Sequence, residues 1–225
     1  MPSVYPISLL IEGRRCLVIG GGKVAERKVL SLLEAGAQVR VVSPEATREI
    51  ADLAAAGRIE WRRAEASEAD LADAFLVIAA TDDAAVNARL AAAANAAGKL
   101  VNAVDQPADC NFFVPASVRR GPVLLTVSTG GGSPALAKRL REKLEAAFGP
   151  EYGELAALME RLRPEIMAAI DTQARRAEVW ERILDSAVLE LLGQGNHAEA
   201  ETLARELAGL PVPPSPERRG AGGEA

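Results

Sequence analysis

Four short stretches of the 225-residue chain carry side chains and backbone whose types and spacing suit chemistry. The first is Gly20-Gly21-Gly22-Lys23-Val24-Ala25, in which Gly20, Gly22 and Ala25 fit G-x-G-x-x-A. In a dinucleotide-binding turn the first glycine makes the corner and the second lets backbone approach a pyrophosphate. The small third residue lets the helix pack close, and the helix N-terminus offers N–H groups to the phosphates. The same glycines also suit a plain tight corner, so the flanking elements decide the weight of the motif. The second stretch is Ser43-Pro44-Glu45. At the corresponding place many NAD proteins hold an acidic residue on the ribose 2′-OH. Glu45 comes slightly late for that role, and no arginine sits there to pair a 2′-phosphate, so NAD is expected over NADP.

The third stretch is Ala79-Ala80-Thr81-Asp82-Asp83, where small residues admit a flat ring or a ribose and Thr81 offers a hydroxyl. Asp82 and Asp83 serve equally well as the start of the next helix. The fourth is Asn102-Ala103-Val104-Asp105-Gln106-Pro107. A carboxylate at Asp105 can take a proton while hydride leaves for a cofactor, or it can be only a turn aspartate before Gln106-Pro107. Arg119, Arg120, Lys138, Arg139 and Arg141 gather in sequence around a second glycine loop, Thr129-Gly130-Gly131-Gly132-Ser133-Pro134. Guanidinium forks hold carboxylates well, although exposed helix charges explain the same residues. His197 is the single histidine and reads as an exposed helix-start residue. Cys16 and Cys110 have no metal spacing and no partner framework, so no bound metal is expected and both read as structural thiols.

These stretches need elements to hold them. Cys16–Ile19, Gln38–Val42, Ile59–Arg62, Phe75–Ala80 and Leu100–Val104 read as short apolar strands. Between them lie helical runs: Val24–Ala35, one opened by Pro44, a short one at Ser67–Asp70, and one capped by Asp82 or Asp83 and ended at Gly98. Such alternation predicts an α/β fold, a Rossmann-type parallel sheet with its ligand edge at the strand C-termini. Beyond residue 111 the pattern changes. Phe112–Pro115 and Val123–Ser128 read as strands joined by a turn at Arg119-Arg120-Gly121-Pro122. Helices follow over Ala135–Phe148 and from Tyr152 to about Ala208, broken at Gly193–Asn196. The expected division is an NAD-binding domain over 1–113, a small α+β region over 114–149, a helical region over 150–210 and a disordered Pro- and Gly-rich tail over 211–225.

Composition is that of a globular protein, 49% hydrophobic and 25% charged. The net charge of −5 argues against non-specific nucleic-acid binding. No apolar run is long enough to span a bilayer, no signal-peptide order opens the chain, and a cytoplasmic protein with reduced thiols is expected.

Taken in order, Gly20-Gly21-Gly22-Lys23-Val24-Ala25-Glu26-Arg27-Lys28, Ala79-Ala80-Thr81-Asp82-Asp83, Asn102-Ala103-Val104-Asp105 and Ser128-Thr129-Gly130-Gly131-Gly132-Ser133-Pro134 closely resemble the dehydrogenase/ferrochelatase module of siroheme synthases, the precorrin-2 dehydrogenase family. Tyr5-Pro6-Ile7 matches as well, and the resemblance runs over about residues 3 to 190. It implies NAD-dependent oxidation of precorrin-2 to sirohydrochlorin, a tetrapyrrole substrate, and a homodimer whose dimerisation region is the α+β stretch over 114–149, after the Rossmann domain. The family's key aspartate maps onto Asp105, making it the catalytic candidate. Gly20, Gly21, Gly22, Lys23, Val24, Ser43, Pro44, Glu45, Thr81, Asp82 and Asn102 are the expected cofactor residues. Arg119, Arg120, Ser128, Thr129, Gly130 and Arg139 are those expected for a multi-carboxylate substrate. Some members also insert ferrous iron. Fe2+ would then be a substrate, held mainly by the tetrapyrrole nitrogens with Asp105 as proton acceptor. A non-catalytic NAD/NADH sensor, or another Rossmann oxidoreductase with an acidic substrate, is the competing reading.

Overall fold

The computed structural model describes residues 4–212, and the chain divides into two compact units. The first holds residues 4–114 together with Gly130–Ser133, and the second holds Pro115–Thr129 and the chain from Pro134 onward. The tail expected to be disordered lies, apart from Pro211 and Val212, outside the described residues.

The first unit is a five-stranded parallel sheet in the order β3-β2-β1-β4-β5. Its strands are β1 (Arg15–Ile19), β2 (Gln38–Val42), β3 (Glu60–Arg62), β4 (Leu76–Ala79) and β5 (Leu100–Ala103). Continuous apolar runs suit strands covered on both faces. Cys16, Val18, Val39, Val41, Leu76 and Ile78 face one side, against Ala25, Val29 and Leu32 of helix α1 (Lys23–Glu34) and Ile50 of α2 (Arg48–Ala55). Leu17, Ile19, Val42, Val77 and Val101 face the other, against Leu90, Ala91 and Ala94 of α3 (Ala84–Ala96). Single turns of 3-10 helix lie at Glu68–Leu71 and Pro107–Asp109.

Register fixes the ligand edge. Ile19 is level with Val42 on one side and Ala79 on the other, and Ala79 is level with Ala103. The residues that follow, Gly20, Ser43, Ala80 and Val104, therefore leave the sheet along one row. Strand order reverses between β1 and β4, and the crevice of a doubly wound sheet opens at such a switch point.

The second unit opens with an antiparallel hairpin, β6 (Ala116–Arg120) and β7 (Val123–Val127). This corrects the sequence reading. Phe112–Pro115 is not a strand, and Arg119 and Arg120 belong to β6 rather than to the turn. The turn is Gly121-Pro122 alone, with Gly121 at φ +52°, the positive first position of a two-residue hairpin turn. Helices α4 (Pro134–Ala147), α5 (Glu151–Ala169), α6 (Gln173–Leu184), α7 (Val188–Gly193) and α8 (His197–Ala208) follow. Leu155, Leu158, Leu162 and Ile166 line one face of α5 and pack with Val179, Ile183, Val188, Leu192 and the small stripe Ala200, Ala204, Ala208. Alanines at every fourth position let α8 approach its neighbours closely. Among the described residues no helix is long and apolar enough to cross a membrane.

Candidate cofactor crevice and proton acceptor

The three glycines of the first turn are glycine for different reasons. Gly20 has φ +114°, and a Cβ there would stand 2.3 Å from the Ala80 carbonyl oxygen. A Cβ on Gly21 would stand 2.0 Å from the Glu45 carbonyl oxygen and 2.6 Å from Ser43 Oγ. Gly22 differs, because a Cβ there would meet nothing within 4 Å. It is also the N-cap of α1 with no side-chain cap, so no capping side chain occupies the first N–H groups of the helix. That is the arrangement a pyrophosphate needs. Lys23 and Val24 are exposed in the first turn, and Lys23 Nζ bonds both Glu26 carboxylate oxygens at 2.9 and 3.0 Å. A hydrogen bond from Thr47 and this pairing with Lys23 hold the Glu26 carboxyl below its usual range.

The segment after β2 departs from the sequence reading. Pro44 does not open a helix. Ser43–Ala46 form an irregular loop, and α2 starts only at Arg48, capped by Thr47, whose hydroxyl accepts from Ile50 N at 3.4 Å. The physical reason is the glycine turn itself: Thr47 N donates to the Gly21 carbonyl at 2.9 Å, which draws the chain across the turn before a helix can begin. Pro44 and Glu45 are exposed beside it. Ser43 is 4% exposed, and its Oγ has no hydrogen-bond partner. Its carbonyl is taken by Trp61 Nε1 at 3.1 Å. A buried hydroxyl without a partner is costly, and a ribose hydroxyl at this place would satisfy it. The open Gly22 face and the orphaned Ser43 hydroxyl together fit a dinucleotide.

Across the switch point, Thr81 follows β4 and is held by Asn87, a residue 3% exposed in the first turn of α3. Asn87 Oδ1 accepts from Thr81 N at 3.1 Å and lies 2.8 Å from Thr81 Oγ1, while Asn87 Nδ2 donates to the Thr81 carbonyl at 2.9 Å. Asp83 caps α3 through Ala85 N and Val86 N, and Asp82 is exposed at the loop tip. The sequence reading missed Asn87. The signal was present: a lone polar residue on the face that also buries Leu90, Ala91 and Ala94.

At the end of β5, Asp105 is exposed and has φ +60°, the only non-glycine with positive φ among the described residues. Aspartate tolerates this conformation better than most residues. The turn is closed by Cys110, whose Sγ lies 3.2 Å from Ala103 N, 3.2 Å from Ala103 O and 3.4 Å from Gln106 O. Asn102 Nδ2 donates to the Phe112 carbonyl at 3.0 Å, so this side chain ties the returning segment to β5. Burial raises the Cys110 thiol, and burial pushes the Cys16 thiol up to about 11; both cysteines are free. Half-buried Lys28 loses proton affinity through burial and the neighbouring Arg27 charge.

The basic residues do not converge as their sequence spacing suggested. Arg119 pairs with Leu124 and Arg120 with Val123, at the turn end of the hairpin, whereas Ser128, Thr129 and Gly130 follow its open end beyond Val127. Arg120 donates to the carbonyls of Phe148 at 2.9 Å and Glu145 at 3.1 Å, a cation at the C-terminus of α4. Lys138 and Arg141 lie in ion pairs with Glu142 and Glu145, and Arg139 is exposed. His197 starts α8, exposed, with Nδ1 3.4 Å from Glu154. No group of three potential metal-ligating side chains assembles among the described residues.

Residues 7–116 match the model of a family described as putative NAD(P)-binding. Residues 120–147 match the sirohaem biosynthesis protein central region and 151–207 the sirohaem synthase dimerisation region. The dimerisation description thus attaches to the C-terminal helices rather than to the 114–149 stretch. A siroheme synthase of Nitrosococcus oceani is 41% identical over 209 residues, 92% of this chain and 45% of the relative. Siroheme synthase 1 of Klebsiella pneumoniae is 43% identical over 87% of this chain and 42% of its own length. The chain therefore spans less than half the length of these relatives. The solved structure titled SirC, precorrin-2 dehydrogenase, superposes with TM-score 0.76 at 30% identity, covering 90% of this chain and 100% of the other. With that full-length correspondence and the crevice above, the chain belongs to the precorrin-2 dehydrogenase family, whose module siroheme synthases share.

Proposed function

We propose that the protein oxidises precorrin-2 to sirohydrochlorin with NAD as acceptor, as a homodimer in the cytoplasm. The observation that carries this reading is the common edge of the sheet. The open Gly22 face and the Asp105 turn leave it at β1 and β5, two strand spacings or about 10 Å apart across the switch point. Bound NAD supplies a two-electron acceptor for a hydride. The α1 N-terminus with Gly20–Gly22 holds the pyrophosphate, and the Ser43 hydroxyl meets a ribose hydroxyl. One carbon–hydrogen bond of the reduced tetrapyrrole gives its hydrogen and electron pair to the acceptor as hydride, and Asp105 takes the second hydrogen as a proton from another C–H or N–H bond, whose electron pair stays behind in the extended conjugation. Arg119 and Arg139 remain the candidates for substrate carboxylates; neither makes an ion pair with another described residue, whereas Arg120 is engaged by α4. The homodimer is supported by the dimerisation-region match over residues 151–207. Separately, Leu124, Leu136 and Leu140 are exposed on β7 and α4, ahead of that region, and we assign them to the partner copy. The free thiols Cys16 and Cys110 suit a reducing compartment.

The test is NADH formation from precorrin-2 and NAD. Asp105→Ala is expected to lower kcat by about 10²–10⁴-fold with NAD affinity nearly unchanged. Full activity in a folded Asp105→Ala protein would remove the assignment. Iron insertion is an extension of the same proposal, read as a protein-dependent change in the sirohydrochlorin spectrum on adding Fe2+.

A further inference from the structure

The loop after β4 carries information about which cofactor atom it meets. Thr81 stands against the glycine turn, since its N lies 3.1 Å from where a Cβ on Gly20 would be. Its hydroxyl has one proton and two lone pairs. Two acceptors compete for the proton, Asn87 Oδ1 at 2.8 Å and the Asp83 carbonyl at 3.0 Å. One lone pair receives Asp83 N at 3.2 Å. The orientation of the Asn87 amide follows from its partners. Oδ1 must face the Thr81 N–H, and Nδ2 must face the Thr81 carbonyl. Whichever acceptor holds the proton, it is spent inside the loop. The hydroxyl keeps one lone pair for a ligand and has no hydrogen to give.

We infer that Thr81 is a hydrogen-bond acceptor for a ribose hydroxyl of the cofactor, and that Asn87 is the positioning residue that holds Thr81 in place for it. The inference rests on the dinucleotide reading of the crevice. Phosphate and carbonyl oxygens are acceptors at neutral pH and are poor partners for a lone pair; a ribose hydroxyl is a donor. Asn87 acts only through Thr81. Buried in α3, it holds both backbone polar groups of Thr81 and orients its side chain.

Calorimetric titration of the full chain with NAD and with ADP-ribose, which lacks the nicotinamide, tests this. Thr81→Val is expected to weaken both ligands about tenfold, and Thr81→Ser to restore most of the affinity. Asn87→Ala is expected to weaken both to a similar degree. The double variant Thr81→Val/Asn87→Ala should bind no more weakly than the weaker single variant, because the two residues act as one unit. Asn87→Ser serves if Asn87→Ala does not fold. Multiplying effects in the double variant would overturn the inference. So would Thr81→Val binding within twofold of the wild type, or a loss seen with NAD and absent with ADP-ribose. Wild-type protein that binds neither ligand would refute the cofactor reading itself. Wild-type protein that binds NAD but leaves precorrin-2 unoxidised would refute the dehydrogenase assignment and leave the Thr81 inference standing.

Discussion

A methyl group added at Gly20 would lie 2.3 Å from the Ala80 carbonyl oxygen in a backbone already at φ +114°, whereas one added at Gly22 would touch no protein atom. The two positions should therefore separate stability from binding. Gly20→Ala is expected to cost about 3–5 kcal/mol in urea unfolding. Gly22→Ala should unfold close to the wild type yet lose NAD affinity in titration. Equal stability losses for both would contradict the role given to Gly22. Cys16 supports a second prediction. Burial lifts its pKa from 9.0 to about 11, so above pH 9 the folded protein keeps a proton that the unfolded chain releases. That contribution is complete below pH 9 and is lost as pH rises towards 11. A shift of this size corresponds to roughly 2–3 kcal/mol. Denaturation curves at pH 8 and 11 should show the loss, and Cys16→Val should lack it. The glycines and Cys16 were legible in the sequence because strand, turn and helix chemistry meet there. Asn87, the orphaned Ser43 hydroxyl and the closure of the Asp105 turn by Cys110 were not, because each depends on partners brought close only by the fold.

Among the elements, the parallel strands were readable from their apolar runs, and their order follows once the crossovers are right-handed. The two misread segments have specific causes. Pro44 is a good first helical residue by propensity, but the hydrogen bond from Thr47 to Gly21 holds that stretch across the glycine turn. The hairpin was displaced because Arg119-Arg120-Gly121-Pro122 looks like a four-residue turn, whereas Gly121 alone supplies the positive φ that a two-residue turn needs. The same hairpin packs on α5, where a Cβ on Gly153 would stand 2.5 Å from the Arg120 carbonyl oxygen. Gly153→Ala is expected to cost about 1–3 kcal/mol by overpacking this contact. Retained thermal stability would mean that β6 and α5 separate more easily than their contact implies.

For the whole molecule, the chain covers SirC completely and the larger siroheme synthases by less than half. A second copy on the exposed leucines of β7 and α4 would give a particle of twice the 23.6 kDa chain mass by light scattering. Leu136→Glu/Leu140→Glu should shift it towards the monomer, and an unchanged dimer would move the interface elsewhere. The central claim is the pairing of a dinucleotide crevice with a carboxylate on the β5 turn. Its most direct test is the NADH absorbance band, followed with precorrin-2 and NAD present, for the wild type and Asp105→Ala. We expect one NADH per sirohydrochlorin formed by the wild type, and a loss of about 10²-fold or more in a variant that still binds NAD. NAD binding without NADH formation in the wild type, or undiminished turnover in Asp105→Ala, would contradict the account.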